Sequence, residues 1–416
     1  MTKPELIVPA GNLEKMKTAF AFGADAVYLG IPDFSLRVRI NDFTLADIKT
    51  AVDYAHGLGK KVYVTVNIFA HNEHLDKLPS YLHELRDYGV DGLFVSDPGI
   101  LQLIKKHWPQ ANLALSTQAN CTNWLSAKFW QERGCHRVIL GRELSLAEIK
   151  EIKDKVPGLE LECFVHGALC MAYSGRCFLS KFLNNGQRDA NLGDCAQPCR
   201  WQYDVTIRPQ GQAKTLELVE EEHGSYLLNS QDLCLLKRLP ELIAVGLDAF
   251  KIEGRAKSVY YLANVVGAYR QAIDLIIGGS GNLTEELDKL YNELTTKLYH
   301  RGYTEGFMFQ QGQLAQNLDN SHNDPDWEFC GQVLSCQAED KGYRLTVKVH
   351  NTMQKGDRLE LVQPYYDIMT IKLGEMVDQA SQTAITEAHG GGGGQIIYIT
   401  VTKPVVELSV IRRKVK

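Results

Sequence analysis

Eight short apolar runs, separated by longer amphipathic segments, dominate the chain between Leu6 and Ile252. The runs begin at Leu6, Ala26, Lys61, Gly92, Leu113, Arg137, Leu161 and Ala249. Short apolar runs that alternate with helical periodicity are typical of strand–helix units around a parallel sheet. Eight such units predict an α/β fold, a TIM-like barrel, and an open doubly wound sheet is the alternative.

The pattern changes after the eighth run, which predicts further domains. We expect a TIM-like barrel over residues 1–280 with a cysteine-rich insertion at 163–200, a helical connector over 281–326 and a small C-terminal β-barrel domain over 327–416. The last assignment rests on segments such as Tyr343–Val349, in which apolar and polar residues alternate. This is the period of a half-buried strand.

Composition limits the class of protein. The chain has 416 residues, 44% of them apolar, and a net charge of −5. It has no apolar run of about eighteen residues and no apolar stretch of the kind that begins a secretory signal, so we expect a cytoplasmic protein with no membrane partner. The negative charge argues against a protein that coats DNA, although a local basic groove could bind a nucleic acid.

Four of the ten cysteines fall within thirty residues. They are Cys170, Cys177, Cys195 and Cys199. Clustered thiols in a cytoplasmic chain indicate a metal or redox centre, and the glycine and alanine residues around them favour an iron–sulfur cluster because small residues let the backbone approach its sulfides. A zinc site and reduced structural thiols stay open. Cys234 is the alternate ligand, although the segment from Leu235 to Leu239 is expected to continue as a helix around it.

Polar residues that follow the predicted strands are candidate functional groups, because the carboxyl ends of barrel strands line the active face. The candidate substrate contacts are Arg37, Asn67, Gln118, Arg142, Lys251 and Arg255, and the candidate catalytic groups are His166 and Glu253. Hydrogen bonds and ion pairs at the barrel rim are the structural alternative for each of them.

Several segments resemble the peptidase U32 family, the collagenase-like proteases. They are Glu162–Ser180, Pro4–Leu13, Ser116–Asn120, Lys251–Arg255 and His300–Phe307. Within that family the chain is most similar to prephenate-dependent tRNA wobble-uridine hydroxylases. The resemblance implies a [4Fe–4S] cluster, prephenate as co-substrate, and 5-hydroxylation of the wobble uridine in the tRNA anticodon loop. A helper protein for the cluster or the hydroxylation is a further candidate partner.

Two other functions stay open. A peptidase would need an activated nucleophile or a metal-bound water, but the chain has no HExxH and no GxSxG motif. His166 stands four residues before Cys170, which keeps a thiol peptidase as an alternative unless the cysteine is a metal ligand. The third candidate is a non-catalytic iron–sulfur scaffold that binds RNA or a partner protein.

Overall fold

The structure is a computed structural model. It describes residues 2–36, 42–170, 172–174, 176–185, 187–203, 205–207, 216–218, 229–279, 281–309, 315–317, 320–340, 342–391 and 393–415. Within these ranges, no helix is both long enough and apolar enough to cross a bilayer.

Eight parallel strands close into a barrel, and they coincide with the eight predicted runs. The barrel strands are β1 (Glu5–Pro9), β2 (Ala26–Gly30), β3 (Lys61–Val66), β4 (Gly92–Val95), β5 (Leu113–Leu115), β6 (Cys135–Ile139), β7 (Glu160–Ala168) and β11 (Ala249–Ile252). The other strands up to Thr304 are β8 (Val205–Ile207), β9 (Leu216–Leu218), β10 (Asp232–Cys234) and β12 (Tyr303–Thr304). The sheet runs β11-β1-β2-β3-β4-β5-β6-β7, and β11 also pairs with β7. This last pairing confirms the TIM-like barrel and excludes the open doubly wound sheet.

Helices follow most of the barrel strands. They are α1 (Leu13–Ala21), α2 (Leu45–Gly57), α3 (Asn72–Leu75), α4 (Leu78–Tyr88), α5 (Pro98–His107), α6 (Trp124–Glu132), α7 (Leu146–Lys155), α8 (Leu179–Leu183), α9 (Leu239–Val245), α10 (Val259–Gly278), α11 (Leu283–Lys297) and α12 (Gly306–Phe309). Helix α7 begins at a capping box, because the Ser145 hydroxyl accepts from the backbone N–H of Glu148 and the Glu148 carboxylate accepts from Ser145. Such caps fix where each chain segment turns back along the barrel.

Closure of the barrel between β7 and β11 depends on Gly167. Its φ is +110°, and a Cβ there would collide with the backbone carbonyl of Glu253. The backbone N–H of Glu253 donates to the carbonyl of His166 at 2.8 Å, so the two chain segments lie in close contact at this point. Only glycine combines this conformation with that approach.

The sheet continues beyond the barrel on one side of β7. Strand β10 pairs with β7 in the antiparallel sense, and β12 pairs with β10 in parallel. Strands β8 and β9 form a separate antiparallel pair. These additions follow the cysteine-rich stretch.

The chain divides into two compact units. The first comprises Met1–Pro4, Tyr28–Glu253 and Tyr299–Asn323, and the second comprises Glu5–Val27, Gly254–Leu298 and Asp324–Lys416.

The second unit carries a mostly antiparallel C-terminal domain. Its strands are β13 (Trp327–Glu339), β14 (Gly342–Val349), β15 (Met353–Gln354), β16 (Arg358–Gln363), β17 (Asp367–Lys372), β18 (Met376–Asp378), β19 (Ala384–Ile385), β20 (Glu387–Ala388), β21 (Ile396–Val401) and β22 (Val410–Lys414). Eight of them form one sheet, ordered β17-β16-β22-β13-β14-β21-β18-β19. This confirms the predicted C-terminal β domain.

Arg412 organises the polar interior of the second unit. Its side chain is fully buried, and its three nitrogens donate to Asn264 at 2.8 Å, Glu293 at 2.6 Å and Glu360 at 2.8 Å. A buried guanidinium requires this number of partners, because an unpaired buried charge is strongly destabilising.

Candidate functional site

The four clustered cysteines line one cavity. We call it the cysteine cavity, and its volume is about 450 Å³. Cys170 is exposed and the other three thiols are half-buried. The cavity wall comes mainly from the described residues between Cys170 and Tyr203, which we call the cysteine segment. The structure therefore brings together four side chains that the sequence separates by up to 29 positions.

Hydrogen bonds within the cysteine segment set the position of Cys195. Arg188 donates from Nε to Asp194 at 2.9 Å and from Nη2 to the Cys195 carbonyl at 2.9 Å. The Ser180 hydroxyl donates to the Arg188 carbonyl at 3.0 Å and accepts from the N–H of Ala196 at 2.9 Å. The segment has little regular secondary structure, so these side chains replace the contacts of a helix or sheet.

A backbone N–H group and neighbouring charges act on the thiols. The N–H of Gln197 donates to the Cys195 sulfur at 3.3 Å. Burial raises the pKa of the Cys199 thiol, and the nearby Cys170 raises it further, while Arg200 and Arg301 oppose the shift. The Cys170 and Cys199 thiols therefore interact electrostatically, and cations lie near them.

Four thiols around one cavity are a donor set suited to a soft metal. Within the described part of the chain, no three cysteine, histidine or carboxylate side chains converge tightly enough to hold a single metal ion. The four cysteines instead share the wall of a larger cavity, and an amide N–H already points at one sulfur. These features fit an iron–sulfur cluster. Its thiolate ligands bind different iron atoms and so lie apart from one another, and its sulfur atoms accept hydrogen bonds from N–H groups.

Two of the predicted substrate contacts also line the cysteine cavity. They are Gln118, in a 3-10 turn after β5, and Arg142, which follows β6. Arg142 donates from Nη1 to the carbonyl of Ala168 at 3.0 Å, and its guanidinium lies 5.4 Å from the centre of the Phe164 ring. These contacts hold a cation beside the thiols.

Lys251 has a different environment. It is 3% exposed, and its Nζ lies 2.7 Å from the carboxylate of Glu162, which is fully buried. The same Nζ lies 3.8 Å from the centre of the Phe94 ring, and Arg137 approaches the other oxygen of Glu162 at 3.3 Å. Lys251 therefore belongs to a network of ion pairs, which is the structural alternative to a substrate contact. This network is buried inside the barrel.

Asn67 and Arg255 are not among the described residues that line the cysteine cavity. The Asn67 side-chain amide donates to Ser116 at 3.0 Å and accepts from the N–H of Leu36, which is a structural use of both ends. Arg255 is 4% exposed and belongs to the second unit, where its carbonyl accepts from Lys15. Arg37 lies outside the described residues.

The two candidate catalytic groups flank the β7–β11 closure. His166 is 1% exposed, and its ring centre lies 5.4 Å from that of Tyr303. Glu253 is half-buried. Cys170 lines the cysteine cavity, and His166 is not among the described residues of its wall.

Cys234, the alternate ligand, is 4% exposed and ends strand β10. The expectation of a helix around it was wrong: β10 pairs with β7, in register with His166, and a 3-10 helix (Leu236–Arg238) begins only after it. Tertiary pairing overrides the helix propensity of the leucines here. Cys121, Cys135 and Cys163 are buried, 1–3% exposed, as expected of structural thiols.

Sequence reasoning missed several side chains of the cavity wall. They are Tyr173, Arg176, Phe178, Asn191 and Arg200. Four of them lie between the cysteines and Arg200 directly follows Cys199, so the signal was their position within the cysteine motif. The candidate substrate contacts were chosen from residues that follow predicted strands, and these five residues do not follow one.

Comparisons with known proteins agree with this fold. Residues 11–317 match peptidase family U32, and residues 325–412 match the peptidase family U32 C-terminal domain. The tRNA hydroxylation protein P of Escherichia coli is 40% identical, over 94% of this chain and 93% of its own length. The tRNA hydroxylation protein P1 of Bacillus subtilis is 38% identical, over 99% and 95%. A 23S rRNA 5-hydroxycytidine synthase of Escherichia coli is 36% identical, over 73% of this chain and 45% of its own length. The two family matches, residues 11–317 and 325–412, together span nearly the whole chain, and the chain therefore belongs to peptidase family U32.

Proposed function

We propose that this protein is a tRNA-modifying enzyme that hydroxylates the wobble uridine of the anticodon at C5, with prephenate as co-substrate and a [4Fe–4S] cluster in the cysteine cavity. The relatives named tRNA hydroxylation protein P support the tRNA substrate, because they align along more than nine-tenths of this chain. The single structural observation that carries the proposal is the cavity that four thiols, Gln118 and Arg142 line together.

The cluster would be held by the four cavity cysteines. They are Cys170, Cys177, Cys195 and Cys199. When bound, a cluster of this kind supplies electron transfer at a potential that depends on charge and hydrogen bonds around its sulfurs. The chain contributes the N–H of Gln197 at the Cys195 sulfur, and Arg188 holds the Cys195 backbone in place.

Arg142 is the best candidate for binding prephenate. A dicarboxylate needs cations that bind both oxygens of a carboxylate, and the planar guanidinium does this better than an ammonium group. Arg142 is fixed at the cavity wall by its bond to Ala168, and Arg176 and Arg200 line the same wall. The cavity therefore offers cations for an anionic co-substrate beside the thiols.

The experiment is nucleoside mass spectrometry of total tRNA from a strain that lacks this gene. Complementation with the unaltered gene should restore 5-hydroxyuridine-derived nucleosides, and complementation with Cys177→Ala should not. Cys121→Ala, which alters a buried thiol away from the cavity wall, is the matched control and should restore them. Identical nucleoside profiles with and without the unaltered gene would overturn the proposed function.

A further inference from the structure

The cysteine segment carries a concentration of exposed aromatic side chains, which we call the aromatic surface. Its members are Tyr173, Phe178, Phe182 and Trp201, which are 53%, 73%, 78% and 41% exposed. Large aromatic side chains are normally buried, because their apolar area is costly to leave in water. Four within 29 residues indicate a surface that binds something.

Backbone contacts and the cavity wall connect the segments that carry these aromatic residues. Tyr173 and Phe178 belong to the cavity wall. Phe182 stands one helical turn after Phe178, and its N–H donates to the Phe178 carbonyl at 2.9 Å. Helix α8 packs on the 3-10 helix Pro198–Arg200, which ends at Trp201. The aromatic surface therefore includes part of the cavity wall.

The surroundings of the aromatic surface are basic. Between Cys170 and Tyr203 the sequence has four cations and two carboxylates, whereas the whole chain has a net charge of −5. Lys181 pairs with Asp189 at 2.9 Å and Arg188 with Asp194 at 2.9 Å. Arg176, by contrast, lies over the Phe69 ring at 5.7 Å, and it is exposed. The excess positive charge is complementary to an anionic partner.

We propose that the aromatic surface binds the unpaired bases of an RNA loop, with Tyr173 and Phe178 stacking on the base that enters the cysteine cavity and Phe182 and Trp201 stacking on its neighbours. Single-stranded RNA is recognised by this combination, because aromatic rings stack on exposed bases and cations contact the phosphates. This inference rests on the proposed function, since it assigns the residues that present the target uridine.

The test is the affinity of the cluster-loaded protein for a fluorescent anticodon stem–loop RNA, measured by anisotropy. Phe178→Ala should weaken binding by about five- to hundredfold, which is the range for loss of one stacked base. Phe178→Leu should be nearly as weak, because leucine is apolar but has no π face, and Phe178→Tyr should bind as the unaltered protein does. Phe129→Ala is the matched control, because Phe129 is 44% exposed on helix α6 and should leave the affinity unchanged.

Two further measurements keep the result interpretable. Iron content should be the same in all four variants, so a loss of affinity cannot come from a lost cluster. Arg176→Gln should lower the slope of log affinity against log salt by about 0.7, the value for one phosphate contact on single strands.

Three outcomes would overturn the proposal. Equal affinity of Phe178→Leu and the unaltered protein would show an ordinary apolar contact. Unchanged RNA affinity in Phe178→Ala would remove the residue from RNA binding. Loss of iron loading in cells with that variant would identify the aromatic surface as a docking site for a helper protein instead. The affinity measurement needs no turnover. Tight RNA binding without any 5-hydroxyuridine would therefore contradict the proposed function but not the proposal that the aromatic surface binds an RNA loop.

Discussion

The cysteines of the barrel and those of the cysteine segment occupy opposite environments in one molecule. Cys121, Cys135 and Cys163 are 1–3% exposed, and burial raises the pKa of Cys121 to about 11 and that of Cys135 to about 12. The cavity cysteines are exposed or half-buried, within a segment stabilised by side-chain hydrogen bonds. A buried thiol is a small apolar side chain, whereas a thiol on a cavity wall near cations and an N–H donor can become a ligand.

The largest effect that we expect is the loss of iron from Cys177→Ala. A four-iron cluster needs four thiolates, so removal of one should abolish stable loading, while Cys121→Ala should load fully because its thiol lies in the barrel. Iron and sulfide analysis after anaerobic reconstitution measures both. Should iron fall in Cys234→Ala and stay in Cys177→Ala, Cys234 would take the ligand place.

The second prediction reverses the comparison, because it concerns a barrel residue that matters for stability and not for the metal. Lys251→Met should destabilise the protein by about 3–5 kcal/mol, since Glu162 would lose its closest partner in a fully buried position. Urea unfolding measures the change, and iron content should stay the same. A normal urea midpoint with a changed half-saturation concentration for prephenate would instead make Lys251 a substrate contact.

Thiol alkylation of the metal-free protein at pH 8 should separate the two groups of cysteines. An ordinary thiol has a pKa of about 8.5, so a pKa of about 11 lowers the thiolate fraction of Cys121 at pH 8 roughly two-hundredfold. Cys170, which is exposed, should be alkylated at least that much faster, as peptide mass spectrometry would show.

The raised pKa of Cys121 also gives a pH dependence of folding. Its folded-state value lies above the unfolded value, so this contribution to stability is complete below about pH 8.5 and is lost as the pH rises towards 11. Faster alkylation of Cys121 than of Cys170 at pH 8 would contradict both statements.

The smallest effect concerns Arg142. Arg142→Lys keeps the charge at the cavity wall but not the planar fork, so the half-saturation concentration for prephenate should rise about tenfold while iron stays bound. Arg133→Lys, on the exposed end of helix α6, is the matched control. Equal prephenate titrations for Arg142→Lys and the unaltered protein would remove Arg142 from the site.

Local patterns in the sequence predicted most of the barrel, because a buried strand needs a continuous apolar run and this chain has eight of them. The rule that function lies after strand ends placed Gln118 and Arg142 at the cavity wall. The same rule does not describe Lys251, because this residue lies within β11, where its ammonium reaches Glu162 on the neighbouring strand.

The features that the sequence did not predict depend on contacts between distant segments. The strand that contains Cys234 exists because it pairs with β7, and no local pattern shows that pairing. The aromatic surface was missed for the opposite reason. Phe178 and Phe182 have the spacing of a buried helix face, and only their exposure of 73% and 78% shows that they face solvent.

The most direct test of the central claim is metal and sulfide analysis of the unaltered protein purified without oxygen, together with Mössbauer spectroscopy. If the cysteine cavity holds a [4Fe–4S] cluster, each chain should contain about four iron and about four sulfide ions, all in one cluster signal. About one zinc ion per chain, or four reactive cavity thiols in a protein that takes up no iron on reconstitution, would contradict the account.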